Sequence, residues 1–163
     1  MNENMSNITK NVKEIPISKI YEAYSAIADE RIMKKSDDLY FVKSSDESKV
    51  YTIHVSDLLY TSNDNATVWQ HYAGYPIIAV MIYQKRLSFD EDVLIYFKNV
   101  NWKELNTKHK NKYDESIAEF LSAFETDKKE AIEASVAEIK KQLKSLEYQV
   151  KGNREKILAS FSV

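Results

Sequence analysis

Apolar positions along this chain change period several times, and each change marks an element. Ile17, Ile20, Tyr21, Tyr24, Ile27 and Ala28 recur at three- and four-residue steps, the period of a helix with one buried face. An amphipathic helix from Ser18 to Glu30 is expected, with Ser18 as N-cap and Glu22 in the first turn, where the helix dipole favours an acid. Leu39 to Lys43 and Lys49 to Val55 are instead rich in β-branched and aromatic side chains. The turn formers Ser44 to Ser48 between them predict a hairpin, with Tyr51, Ile53 and Val55 on the core side. Ser56-Asp57 reads as a turn, Leu58 to Thr61 as a third short strand, and Ser62 to Asn65 as a loop. Pro76 opens an apolar helix running to Arg86, since a first-turn N–H has no intrahelical partner to lose. Asp90 caps a short helix through Phe97, with Glu91 and Asp92 in its first turn.

Beyond Phe97 the pattern is helical. Leu105, Tyr113, Ile117, Phe120 and Phe124 form one stripe, and Thr126 caps a long helix expected to stop at Gly152-Asn153. Within it Ile132, Val136, Ile139, Leu143, Leu146 and Val150 step 4-3-4-3-4, a heptad seam of about three heptads. Such a seam needs a cover: the preceding stripe in an intrachain helical hairpin, or another protein or a second copy in a coiled coil. The expected class is α+β: an N-terminal helix, a small antiparallel sheet and short helices, followed by a C-terminal helical hairpin or coiled coil. The expected division is a flexible lead over 1–16, an α+β module over 17–97, a helical extension over 98–152 and a tail over 153–163.

Composition removes several chemistries. The chain has no cysteine, hence no disulfide, thiolate nucleophile or Cys-ligated metal. With only Gly74 and Gly152, neither a phosphate-cradling loop nor a GxSxG elbow can be written. His54, His71 and His109 do not pair at metal-binding spacing. Asp37-Asp38, Asp46-Glu47 and Asp90-Glu91-Asp92 fall at turns or a helix start, where solvation and the helix dipole account for them. No catalytic, cofactor or metal set is therefore expected. No apolar run approaches the roughly 20 residues that span a bilayer, and the first residues lack the apolar core of a signal peptide. A cytoplasmic protein without membrane contact is the expectation.

The net charge of −2 gives no overall basic field. Base is in excess only beyond Thr126. Lys108, Lys110 and Lys112 lie beside Trp102 and Tyr113, and Lys140, Lys141 and Lys144 follow on the long helix. Interleaved aromatics and cations can bind single strands by stacking and phosphate contact. Glu104, Asp114 and Glu115 dilute the first cluster, so a solvated helix face is the competing reading.

The stretch Ser48 to Leu87 resembles the SWIM zinc-finger family, which reads as a β-hairpin, a CxC pair, a variable loop and CxH opening an apolar helix. Here "SKVYTIHV" stands for the hairpin, "YTSNDN" where the CxC pair would be, and "GYPIIAVMI" for the CxH helix. The ligand positions fall on Tyr60, Ser62, Gly74 and Pro76, none of which binds zinc, so the resemblance is to a degenerate, metal-free member. Tyr60, Trp69 and Tyr72 would then fill the volume. The resemblance implies binding to nucleic acid or protein, in some members beside recombinase-family ATPases. The expected function is a non-enzymatic binding or adaptor module acting through protein contacts at the seam. Direct nucleic-acid binding through the six lysines is the first alternative, and an enzyme with a scattered site the second.

Overall fold

The computed structural model describes residues 14–159. Helix α1, Ile17–Ala28, begins one residue earlier than the Ser18 cap reading, after Pro16. It ends through a left-handed Glu30 (φ 52°), where the Arg31 N–H donates to Ala26 O at 2.9 Å, a closure that satisfies an orphan carbonyl. Four strands follow as an antiparallel meander: β1 Ile32–Ser36, β2 Leu39–Lys43, β3 Val50–Ser56 and β4 Leu59–Ser62. The β2–β3 hairpin lies where the alternation places it. Strand β1 escapes the pattern because only Ile32 and Met33 are apolar. Its outward Lys34 and Lys35 suit an edge strand.

Ala66–Gln70 form a π-helical turn, and helix α2 runs Tyr75–Tyr83 with Pro76 in its first turn. Pro76 to Ile82 are buried without a break, because α2 lies between β1–β4 on one side and α1 on the other. A 3-10 helix, Glu91–Phe97, is capped by Asp90, whose Oδ1 accepts from the Asp92 N–H at 2.9 Å. Helices α3 Trp102–Lys108, α4 Tyr113–Leu121 and α5 Thr126–Ser145 complete the helical layer. The protein is thus α+β, as expected.

The C-terminal third departs from the long-helix reading. Helix α5 stops at Ser145, and Gln149–Gly152 form β5, parallel to β4 with Tyr60 opposite Val150. Leu146 and Val150 therefore leave the proposed seam. Leu146, Tyr148 and Val150 also alternate with period two, and this strand signal overlaps the heptad spacing. Ile132, Val136 and Ile139 are 0% exposed and Leu143 5%, so the remaining seam packs inside its own chain, against α1 and the 3-10 helix. Interchain coiled-coil contact through it is excluded by that burial.

One continuous apolar cluster joins residues from both sides of the division at 98. At its centre Tyr24 stacks on Phe97 (4.7 Å), Phe97 meets Phe120 (5.2 Å), and Phe120 meets Trp102 (5.2 Å). Buried polar atoms are tied into it: Trp102 Nε1 donates to Ser25 Oγ at 2.7 Å, and the Tyr24 and Ser135 hydroxyls pair. The 1–16 lead falls mainly outside the described residues. Its last part is docked, with Ile15 buried and Glu14 3.0 Å from Lys140 Nζ. The tail is also held: Leu158 bridges Val50, and Asn63 Nδ2 donates to Glu155 O at 3.1 Å.

Candidate ligand pocket

Five segments converge on a pocket of about 260 Å³. The first turns of α1 supply Lys19 and Glu22, and the β2–β3 hairpin supplies Ser45, Lys49 and Tyr51. The loop after β4 brings Asp64, α2 opens with Tyr75, and the α3–α4 corner adds Lys103, Asn111 and Tyr113. At that corner Lys110 (φ 54°) and Asn111 (φ 63°) are consecutive left-handed residues, a conformation costly for side chains other than Asn, Asp and Gly.

Glu22 forms the floor. Its side chain is 13% exposed, and Lys19 Nζ lies 3.6 Å from Oε2. That oxygen is out of water and accepts no hydrogen bond among the described residues. Burial pushes the Glu22 carboxyl above its ordinary value, and Lys19 and Arg31 oppose this only in part. Burial works most strongly against the Lys19 charge, but Glu22, Tyr113, Tyr72 and Asp64 together outweigh it and hold the ammonium above its usual value. Lys19 Nζ additionally sits 4.8 Å from the Tyr113 ring centroid, a favourable cation–π placement. Tyr51 and Tyr75 meet edge to face at 6.2 Å. Burial pushes the Tyr51 phenol up to about 12 and the Tyr75 phenol well above its ordinary value.

Asp64 is the second buried acid, and its surroundings are the opposite. It accepts from Ser62 Oγ, from Thr67 Oγ1 at 2.8 Å and from the Thr67 N–H at 3.1 Å. Thr67 Oγ1 in turn accepts from the Gly74 N–H at 3.2 Å. A Cβ on Gly74 would stand 2.0 Å from Asp64 Oδ2, so a glycine is required here for space, with no left-handed backbone involved. At the rim, Lys103 Nζ pairs with Asp46 at 3.0 Å. The Ser48 hydroxyl and N–H hold Asp46 well below the usual carboxylate range. Lys49 has no carboxylate within ion-pair distance among the described residues.

Of the residues singled out from the sequence, Ser62 and Gly74 meet around Asp64, and Pro76 lies beyond them in α2. Tyr60 is turned elsewhere: it donates to Gln84 Oε1 at 2.5 Å and accepts from Arg86 Nη1 at 2.7 Å. Trp69 does not fill the loop interior. It is 57% exposed, with the Arg154 guanidinium 4.6 Å from its ring. The six lysines are largely engaged: Lys108 pairs with Glu119 (2.8 Å), Lys112 with Glu115 (3.9 Å), and Lys140 and Lys144 with Glu14 (3.0 and 3.6 Å). Only Lys110 and Lys141 show no carboxylate partner among the described residues. His54 pairs with Glu155 (2.9 Å) and His109 with Glu119 (2.8 Å).

Sequence reasoning missed Lys19, Glu22, Lys49, Tyr51, Asp64 and Tyr75 as a site. One signal was available in α1. Ser18, Glu22 and Ser25 fall four and three residues apart, and the small serines flank the acid where a solvated face would carry longer polar chains. Both serines are buried.

Among the described residues no group of three His, Cys, Asp or Glu is placed to hold a metal ion, and no helix is long and apolar enough to cross a membrane. No curated protein and no solved structure matches the chain. The model of the family described as uncharacterised conserved protein UCP014422 matches residues 12–149, from before α1 to the first residue of β5, and the chain belongs to that family.

Proposed function

We propose that this protein is a non-enzymatic binding module whose ligand site is the pocket floored by Glu22. The carrying observation is the convergence of Lys19, Glu22, Asp64, Lys49 and Lys103 from separate segments on one pocket of about 260 Å³. Charged groups are costly to bury unless they are paired, and their gathering at a concave surface is the arrangement of a polar ligand site.

Binding fits the pocket better than catalysis. Proton-transfer chemistry at Glu22 would call for a second group free to act. Asp64 already accepts three hydrogen bonds, Lys103 is held by Asp46, and His54 and His109 face acids, which leaves Lys49 as the lining charge without a carboxylate partner among the described residues, a group suited to receiving an anion. In a SWIM-type relation, the Ser62–Asp64–Thr67–Gly74 network would stand in the place of the metal. Hydrogen bonds and a close backbone approach would then do the work of zinc.

The test is an amide-resonance titration of the full chain with a panel of small amines, acids, amides and amino acids. Perturbations gathered at Lys19, Glu22, Tyr51, Asn65 and Lys103 are the expected result. Perturbations only elsewhere, or none across the panel, would overturn the reading.

A further inference from the structure

We infer that the ligand of this pocket is a small monocarboxylate, its acid group received by the Lys49 ammonium and the hydroxyls of Tyr51 and Tyr75. The inference rests on the pocket being a binding site and adds the class of molecule it takes. Its basis is a row of neighbouring donors that the chain leaves without acceptors.

The three donors stand side by side. Val50 pairs with Lys43 in the β2–β3 hairpin, and the ladder continues one step outward, where the Ser44 N–H donates to Lys49 O at 2.9 Å. Residues two apart along a strand point to the same face. Lys49 and Tyr51 therefore share a face, and both line the pocket. Tyr51 in turn meets Tyr75, at the start of α2, with 6.2 Å between ring centroids.

These donors are also open. Among the described residues, the side-chain polar atoms sealed from water without a partner are Ser18 Oγ, Glu22 Oε2 and Arg31 Nε. The Tyr51 and Tyr75 hydroxyls lack a hydrogen-bond partner there too, yet are not sealed, so they reach the water of the pocket they line. Both phenols lie in the field of Glu22 and Asp64, on the pocket side. Burial pushes Tyr51 up to about 12 and Tyr75 well above its ordinary value, so each keeps a proton to donate at neutral pH. Lys49 is half-buried and has no carboxylate partner among the described residues.

The acids of the pocket do not answer these donors. Glu22 Oε2 is closed to water and has the Lys19 ammonium at 3.6 Å. Asp64 is 4% exposed and accepts from Ser62 and Thr67. Asp46 is taken by Lys103 at 3.0 Å. A carboxylate brings two acceptor oxygens and one negative charge to one unpaired ammonium and two O–H donors. A phosphate dianion would exceed that single charge in the field of Asp64, and a cation would leave all three donors unanswered. The rings of Tyr51, Tyr75 and Tyr113 offer the carbon part an apolar wall, and a cavity of about 260 Å³ limits the ligand to a small molecule.

Thermal melting and amide-resonance titration of the full chain test this with acetate, propionate and benzoate, against benzamide, inorganic phosphate and methylammonium. A ligand that binds only the folded state raises Tm with its concentration. At least one carboxylate should raise Tm and move the Lys49, Tyr51 and Tyr75 resonances, where the other three probes do neither. Lys49→Gln and Tyr51→Phe, each checked to melt cooperatively without ligand, remove one donor and keep the shape. Each should weaken carboxylate binding about tenfold or more, the worth of one hydrogen bond to a charged group. An equal response to benzamide, or a response at the pocket to phosphate or methylammonium alone, would overturn the carboxylate while leaving the pocket a binding site. A carboxylate response kept at full strength in Lys49→Gln or in Tyr51→Phe would place the acid group elsewhere and overturn it too. If no probe changes Tm or moves the pocket resonances, both the inference and the binding reading fall.

Discussion

Glu22 and Asp64 lie in the same pocket, yet the chain supports them differently. Asp64 accepts from two hydroxyls and one N–H, while Glu22 Oε2 has the Lys19 ammonium at 3.6 Å and no closer donor among the described residues. The consequence for stability follows from linkage. The folded-state pKa of Glu22 is raised above the ordinary 4.5 by burial. Below about 4.5 the carboxyl is protonated in both folded and unfolded chains. As pH rises from there through the raised folded value, the folded protein holds a proton that the unfolded chain has released, and stability is lost. Lys19 does not reverse the sign, because its attraction is already contained in the net upward shift. Glu22→Gln keeps the shape and cannot ionise. It should melt above the natural protein at pH 7, with the gap closing as pH falls below about 4.5. For a chain of this size each kcal/mol appears as about 2–4 °C. Equal or lower melting of the variant at pH 7 would mean that Glu22 is not held out of water as described. A stabilising loss of a pocket acid is the pattern of residues kept for function at the expense of stability.

At the scale of elements, the same residues suit opposite structures at the C-terminus, and one substitution tests the packing of the strand. In the helix reading, Gly152 is the left-handed stop of a long helix, where alanine would cost about 1–2 kcal/mol. In the strand β5, a Cβ on Gly152 would stand 2.6 Å from Val68 Cα in the π-helical turn. Backbone cannot swing aside as a flexible side chain does. Gly152→Ala should therefore destabilise by about 1–3 kcal/mol, the range of core overpacking, measured by urea unfolding. Unchanged or increased stability would mean that Gly152 does not lie against the Val68 backbone as β5 places it. The hairpin, α1, α2 and the Asp90-capped turn were legible because each has one dominant period and a punctuating residue such as Pro76. Strand β1 was not, since an edge strand needs little apolar surface. Strand β5 was hidden because Leu146, Tyr148 and Val150 satisfy a period of two while Leu146 and Val150 also continue the heptad. The pocket was illegible for another reason. Its residues come from five segments, each unremarkable alone, and the long-range pairing that makes them a site leaves no trace in local spacing. Only the Ser18–Glu22–Ser25 stripe of α1 carried a hint.

At the scale of the whole molecule, α1 explains why the chain does not divide at residue 98. Its one side meets α2, which lies on the sheet, and its other sides meet the 3-10 helix, α4 and α5. Tyr21 and Tyr24 carry the aromatic cluster that reaches Trp102 and Phe120, while Tyr24 also pairs with Ser135 on α5. Strand β5 then returns from the helical half to extend the sheet beside β4. Neither half can bury its apolar surface without the other. Ile139 is 0% exposed and Leu143 5%, so replacing both with Glu would drive two charges into this shared core. Unpaired buried charge is among the few causes of losses above about 4 kcal/mol. The Ile139→Glu, Leu143→Glu double variant should lose several kcal/mol, melt in one cooperative transition or be unfolded, and lose β-sheet signal along with helix. A chain ending at Phe97 should fail to fold for the same reason, since it lacks the aromatic partners of Tyr21 and the cover of α2's outer neighbour. Light scattering and circular dichroism melts distinguish this from a seam between chains. If the double variant keeps the melting of the natural protein while its mass falls, or if the chain ending at Phe97 shows a sharp melt of its own, then α5 is an appendage that joins copies, and α1 is not the centre of a single core.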